Sequence, residues 1–195
     1  MSKAIALEEG LFYHIYNRGN NKERIFKDED DYRYFLSLLK KHLLPTADIF
    51  VYCLLGNHFH LLVKIKTNEI DKGITGKPLN TSQVFSNLFN AYAKAFNRKY
   101  NRTGKLFEER FKRKQIATDG YFSELIYYIH ANPQRHQLIG DFRNYAHSSY
   151  PVLTKNEFTF INRDEVLNWF GGKDLFERFH EERVVYLLNY QNFEK

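Results

Sequence analysis

The spacing of hydrophobic and polar positions changes period several times along the chain, and each change marks an element. Residues 11–17, LFYHIYN, alternate loosely, as a strand does when successive side chains point to opposite faces. The polar run RGNN at 18–21 closes it as a turn. DEDDYRYFLSLLKKHL follows, with acids at its start and apolar residues at Tyr32, Phe35, Leu36, Leu38 and Leu39. Acids favour the positive end of a helix dipole, so this segment predicts an amphipathic helix of about four turns. Pro45 ends it. ADIFVYCLL and HFHLLVKI then read as two strands turned at Gly56-Asn57, a hairpin.

Beyond the connection GITGKPLN, Thr81 and Ser82 are expected to cap a long helix, SQVFSNLFNAYAKAFNRKY. Its apolar residues at 85, 88, 89, 92, 95 and 96 keep helical spacing. NRTG breaks it, and LFEERFKRKQIA reads as a fourth strand with a basic face at Arg110, Lys112 and Lys114. A further helix is expected from Asp119 to Asn132, stopping at Pro133 because the residue before a proline avoids the helical region. The order is β-α-β-β-α-β and then a helix. It predicts an α+β fold of ferredoxin-like type, a four-stranded antiparallel sheet with two helices on one face. One domain is expected over 1–150. Residues 151–195 are expected to form a C-terminal helical extension, with helices near 163–170 and 173–190 and no evident chemistry.

Composition narrows the setting. The chain has 195 residues, 43% of them hydrophobic, which suits a folded domain with a substantial core. Its single cysteine, Cys53, cannot form an internal disulfide, and the N-terminus has no long apolar run. A cytoplasmic protein with no membrane span is expected. The net charge is +6, and its distribution says more than its size. Nine Lys or Arg residues against two acids put +7 between Lys94 and Gln115, whereas residues 156–195 carry −3. A concentrated basic block is the footprint of a polyanion binder, nucleic acid first among the candidates. Arg18, Arg98, Lys99, Arg110, Lys112, Arg113 and Lys114 are the expected phosphate contacts.

The chemistry starts at His58 and His60, one residue apart and therefore on one face of a strand. Alone the pair decides nothing, since eight histidines in 195 positions yield one such pair in about one sequence in three. In the helix YFSELIYYIHANP, Tyr128 and Asn132 stand four apart and share a face. If that face meets the sheet, an amide oxygen joins two imidazoles in a three-ligand site with open positions, suited to Mg²⁺ or Mn²⁺. A phenol one turn away, beside a metal-polarised phosphate, points to nucleophilic cleavage of a phosphodiester through a covalent phosphotyrosine. Taken singly, Asn132 also reads as a helix cap and Tyr128 as a core tyrosine. Tyr121 and Tyr127 are rival nucleophiles, but neither has a ligand-capable residue four positions on. His130 points away from Tyr128 and Asn132 and reads as structural or phosphate-contacting.

Taken together, YHIYNRGNN, Ile25-Phe26, the YxxFL of 32–36, NHFHLLV, GKLFEERFK and YIHANP resemble, in this order, the REP-associated tyrosine transposases. These belong to the HUH-type single-tyrosine transposases. The resemblance spans roughly residues 11–150, and it implies His58, His60 and Asn132 as metal ligands and Tyr128 as nucleophile. Arg110 and Phe111 match the family's Arg-Phe on the fourth strand. It further implies a divalent metal and single-stranded, hairpin-containing DNA, cut to a 5′-phosphotyrosine and a free 3′-OH, as in DNA transposition and recombination. Two stretches depart from the family pattern, Leu55-Gly56 and Gln134-Arg135-His136-Gln137, and neither is expected to touch the ligands. The rival expectation is a hairpin-binding module on the same fold that is non-catalytic or domesticated by its host. Monomer and homodimer stay open.

Overall fold

In the computed structural model, residues 5–67, 80–155 and 157–191 are described; the connection 73–79 lies outside them. The hairpin is as expected, with β2 (Ala47–Leu55) and β3 (His58–Ile65) antiparallel across Gly56-Asn57. β1 (Phe12–Arg18) pairs antiparallel with β3 on one side and with β4 (Lys112–Gln115) on the other. The sheet order is therefore β2-β3-β1-β4, the arrangement that the β-α-β-β-α-β order predicts.

Alternation along each strand separates two faces. On one, Phe59 meets Phe35 of α1 (Glu29–Leu43) at 5.0 Å and Phe89 of α2 (Thr81–Lys99) at 5.2 Å between ring centres. Tyr13, Ile15, Leu61 and Val63, all fully buried, alternate in step with it. Each such side chain removed from water contributes about 1.5–3 kcal/mol, which is why this face is welded to its two helices. The opposite face is covered by α3 (Asp119–Arg135), where Phe122 packs edge-on to Phe12 at 4.9 Å.

Four local expectations are corrected. The N-cap of α2 is Asn80 rather than Thr81 or Ser82, because the Asn80 carboxamide accepts from the Gln83 amide. The turn after β1 is a single 3₁₀ turn, Asn20–Lys22, with Asn21 and Lys22 at positive φ. β4 covers only Lys112–Gln115, not 106–117, since Arg110 at φ 53° breaks the extended run and leaves Phe111 outside the strand. Finally, α3 runs through Pro133 to Arg135. The missing proline amide costs one helical bond, but buried Pro133 keeps the last turn in place, with the His136 amide donating to Asn132 O at 2.9 Å.

The C-terminal extension supplies α4 (Tyr150–Thr154), α5 (Arg163–Trp169) and α6 (Lys173–Gln191). α6 docks on α3 through a buried polar chain. His180 Nδ1 donates to Phe176 O, so its Nε2 accepts from His130 Nδ1 at 3.0 Å. His130 Nε2 in turn meets Ser149 Oγ at 2.9 Å, and Ser149 Oγ accepts from the Tyr52 amide of β2. His130 is therefore structural, and both imidazoles are neutral, held below the usual histidine range by burial. No helix among the described residues is long and apolar enough to cross a membrane.

Candidate active site on the sheet face under α3

β1 and β3 are in register with Tyr16 opposite His60 and Arg18 opposite His58, while β4 places Lys114 opposite His14 and Lys112 opposite Tyr16. His14, Tyr16, Arg18, His58, His60, Lys112 and Lys114 thus share the face that α3 covers. The sequence forces this clustering, because one residue of slip would turn every imidazole into the hydrophobic core on the other side.

The two histidines stand edge to face with ring centres 5.3 Å apart. Each has one ring nitrogen engaged from behind. His58 Nδ1 lies 2.7 Å from Asn57 Oδ1, and His60 Nδ1 lies 2.9 Å from His14 Nε2. That leaves both Nε2 atoms as potential donors to a ligand. Burial, reinforced by His136 and Arg18, lowers His58 to a pKa of about 4; His60 is pushed well down, again by burial first and then by its histidine neighbours. Both are neutral near pH 7, the state in which an imidazole offers a lone pair to a metal.

α3 brings Tyr128 to the same place. Its ring lies 5.6 Å from His60 and 6.2 Å from His14, edge-on to both. Asn132, one turn further on, is buried, and its Nδ2 donates to Tyr128 O at 2.7 Å. No hydrogen bond among the described residues links Asn132 to either histidine. No cluster of three His, Cys, Asp or Glu side chains among them is placed to hold a metal ion. The donor set is instead two neutral imidazoles with a carboxamide nearby, a mixed N/O chemistry that fits a divalent cation with open positions.

Two cavities meet at Tyr16, His60 and Tyr128. One, of about 850 Å³, is walled by Tyr121, Tyr127 and Leu125 of α3, by Lys114, and by Glu182 and Arg183 of α6. The extension expected to carry no chemistry therefore walls this cavity, and Arg183 is held there by Glu124, its Nε 3.0 Å from the carboxylate. The second, of about 500 Å³, runs past Arg18, Asn57, His58 and Lys112 to His136 and Leu138. His136 lies in the stretch expected to avoid the ligands, yet its ring stands edge-on to His58 at 5.0 Å.

The rival tyrosines sit in the first cavity too. The Tyr121 ring is covered by Lys114 Nζ at 4.3 Å. Tyr127 has a buried hydroxyl with no hydrogen-bond partner among the described residues and a pKa pushed up to about 12 by burial. The seven cations divide. Lys112 and Lys114 are exposed on the site face, and Arg98 and Arg110 are exposed elsewhere. Arg18 is bound by Glu108 at 2.7 Å, and Lys99 by Asp28 and Asp31 at 2.7 and 2.9 Å. Arg113 points to the opposite face, stacked on Phe111 at 4.2 Å and donating to Ser82 Oγ. Sequence reasoning missed His14, Tyr16 and His136. For His136 the signal was its position four residues after Asn132, and for His14 and Tyr16 it was the alternation of β1.

No protein-family model matches the chain, and no curated protein matches it. Among solved structures, the chain is similar to a REP-associated tyrosine transposase bound to a REP hairpin. The TM-score is 0.59 at 13% identity, over 82% of this chain and 89% of that one, a likeness of fold. A bacterial tRNA(His) guanylyltransferase-like protein in complex with GTP aligns at TM-score 0.41 and 14% identity, over 72% of each chain. The tRNA(His) guanylyltransferase of Saccharomyces cerevisiae aligns at 0.43 and 10%, over 70% of this chain and 64% of that one. Both scores fall below 0.5, and neither bears on the site.

Proposed function

We propose that the protein is a metal-dependent, single-strand-specific DNA endonuclease and strand transferase of transposase type, acting on hairpin-containing DNA through Tyr128. The observation that carries this reading is the meeting of Tyr128 with His58 and His60 where two cavities join. The fold shared with a transposase seen on a REP hairpin supports it.

His58 and His60 would hold Mg²⁺ or Mn²⁺ through Nε2, with the Asn132 carboxamide as third protein ligand. Bound there, the ion would supply charge neutralisation and orientation at a phosphate. The chain's own groups do the rest. Lys112 and Lys114 draw the DNA backbone onto the sheet face, and the tyrosine-lined cavity offers ring faces on which unpaired bases stack. Tyr128 Oη forms a bond to phosphorus as the bond from phosphorus to the 3′ oxygen breaks. The phenolic proton is released, the 3′ oxygen takes one up, and the products are a 5′-phosphotyrosine and a free 3′-OH. A second 3′-OH attacking that linkage rejoins DNA without ATP, because the phosphodiester bond energy is kept.

The test is incubation with a pool of single-stranded hairpin DNAs and Mn²⁺, followed by denaturing gel and peptide mass spectrometry. A covalent adduct on Tyr128 that disappears with EDTA is expected. Tight hairpin binding with no adduct under any metal would sink the catalytic reading and leave a binding module.

A further inference from the structure

We infer that His14 is a positioning residue that fixes the ring and tautomer of His60 for ligand binding; this rests on the metal reading above. Nothing in the sequence or in the resemblance assigns His14 a role. It is buried on β1, its ring centre 4.7 Å from that of Tyr16 and 5.1 Å from that of His60, at 27° and 26° to them; Tyr16 and His60 are themselves 5.7 Å apart, so the three rings close a triangle. Its Nε2 lies 2.9 Å from His60 Nδ1, and no other group among the described residues bonds that His60 nitrogen.

The tautomers follow from this one contact. His60 can offer its Nε2 lone pair to a ligand only if its proton sits on Nδ1. That proton then needs an acceptor, and the atom in place is His14 Nε2. His14 must therefore be neutral and carry its own proton on Nδ1. His14 is buried with Lys114 opposite it across the β1–β4 pair, surroundings that disfavour a second positive charge. A ring that orients a metal ligand from behind commonly does so through a carboxylate or carbonyl. Here an uncharged imidazole does it, so the pair adds no negative charge beside a phosphate. Tyr16 lies against both imidazoles, which limits their rotation and fixes ring plane and tautomer together.

Two variants test this. His14→Phe keeps a flat ring beside Tyr16 but removes the acceptor. His14→Gln places an amide oxygen near the position of Nε2. Mn²⁺ affinity of the DNA-free protein is read by electron paramagnetic resonance, and the His60 tautomer by long-range ¹H–¹⁵N correlation of the metal-free protein. His60 should be protonated on Nδ1 in the wild type and shift toward Nε2–H in His14→Phe. The Phe variant should lose about tenfold to a hundredfold in Mn²⁺ affinity, the cost usual for removing such a partner. The Gln variant should recover most of that loss, and thermal unfolding should confirm that both variants fold. An unchanged tautomer and affinity in His14→Phe would overturn the inference alone. A wild type that binds no Mn²⁺ would overturn the metal reading and the role of His14 with it.

Discussion

His130 and His180 meet ring nitrogen to ring nitrogen at 3.0 Å, fully buried, across fifty residues of chain. Every hydrogen in that chain has an assigned acceptor, from the Tyr52 amide through Ser149, His130 and His180 to Phe176 O. Such a network specifies a single docking of α6 on α3, since any shift leaves buried polar atoms unpaired.

Ser149→Ala should therefore cost more than a surface serine would. It strips an acceptor from the Tyr52 amide and a partner from His130 Nε2. A loss of about 1–3 kcal/mol is expected by urea denaturation. A loss indistinguishable from zero would mean that the network is not stabilising.

Acid should unfold the protein through the same imidazoles. The His180 pKa is lowered by burial to about 4, whereas in the unfolded chain it titrates near 6.5. Its contribution to stability is complete above about pH 6.5 and is lost progressively as the pH falls to 4, on the order of 3 kcal/mol. Urea midpoints measured from pH 7 to pH 4 should decline throughout that window, and less steeply in His180→Gln. Parallel slopes would rule His180 out as the source.

On the proposed function, Tyr128→Phe should leave hairpin affinity within about threefold of wild type while removing the covalent adduct, because the substitution takes away only the phenolic oxygen. Gel shift and denaturing gel read the two effects separately. Adduct formation persisting in this variant would move the nucleophile to Tyr121 or Tyr127, the other phenols of the cavity.

His58→Ala should weaken Mn²⁺ binding by at least about tenfold without lowering the melting temperature by more than a few degrees. His58 and its partner Asn57 are both only half-buried, so the Asn57 amide can bond water instead. Calorimetric titration with Mn²⁺ checks it. Unchanged binding would place the metal, if any, elsewhere.

Gly19→Ala should destabilise the turn that carries the end of β1. A Cβ there would stand 2.1 Å from Glu23 O, which is backbone and cannot swing aside. Gly19 also donates to Asn57 O at 2.8 Å, so the strain reaches the residue that holds His58. About 1–3 kcal/mol of stability should be lost in thermal or urea unfolding, the range for forced overpacking.

The first three strands and the first two helices were legible because alternation and helical spacing are local signals, each running over seven residues or more. β4 was overread because nothing in LFEERFKRKQIA announces that Arg110 takes a positive φ. α3 was underread at Pro133, where buried packing outweighs the local preference of the residue before a proline. His58, His60 and Tyr128 could be picked out by spacing. The alternation of β1 puts His14 on the face of Tyr16, but its meaning depends on register with a strand forty-six residues on, which no local spacing carries. The basic block was countable, but which of its charges are spoken for is a tertiary fact. Arg18 finds Glu108 and Lys99 finds Asp28 only once the chain is folded.

The central place of β1 in the sheet also orders events during synthesis. β2 and β3 are neighbours in sequence and can pair early, but Tyr13 waits for Gln115 and His60 for the ring of Tyr128. Contacts so distant along the chain form late. A nascent chain still on the ribosome therefore carries its imidazoles long before it carries Tyr128, and the wall contributed by Arg183 arrives later still. The cavity on the sheet face is complete only after residue 183 has been made and α6 has docked.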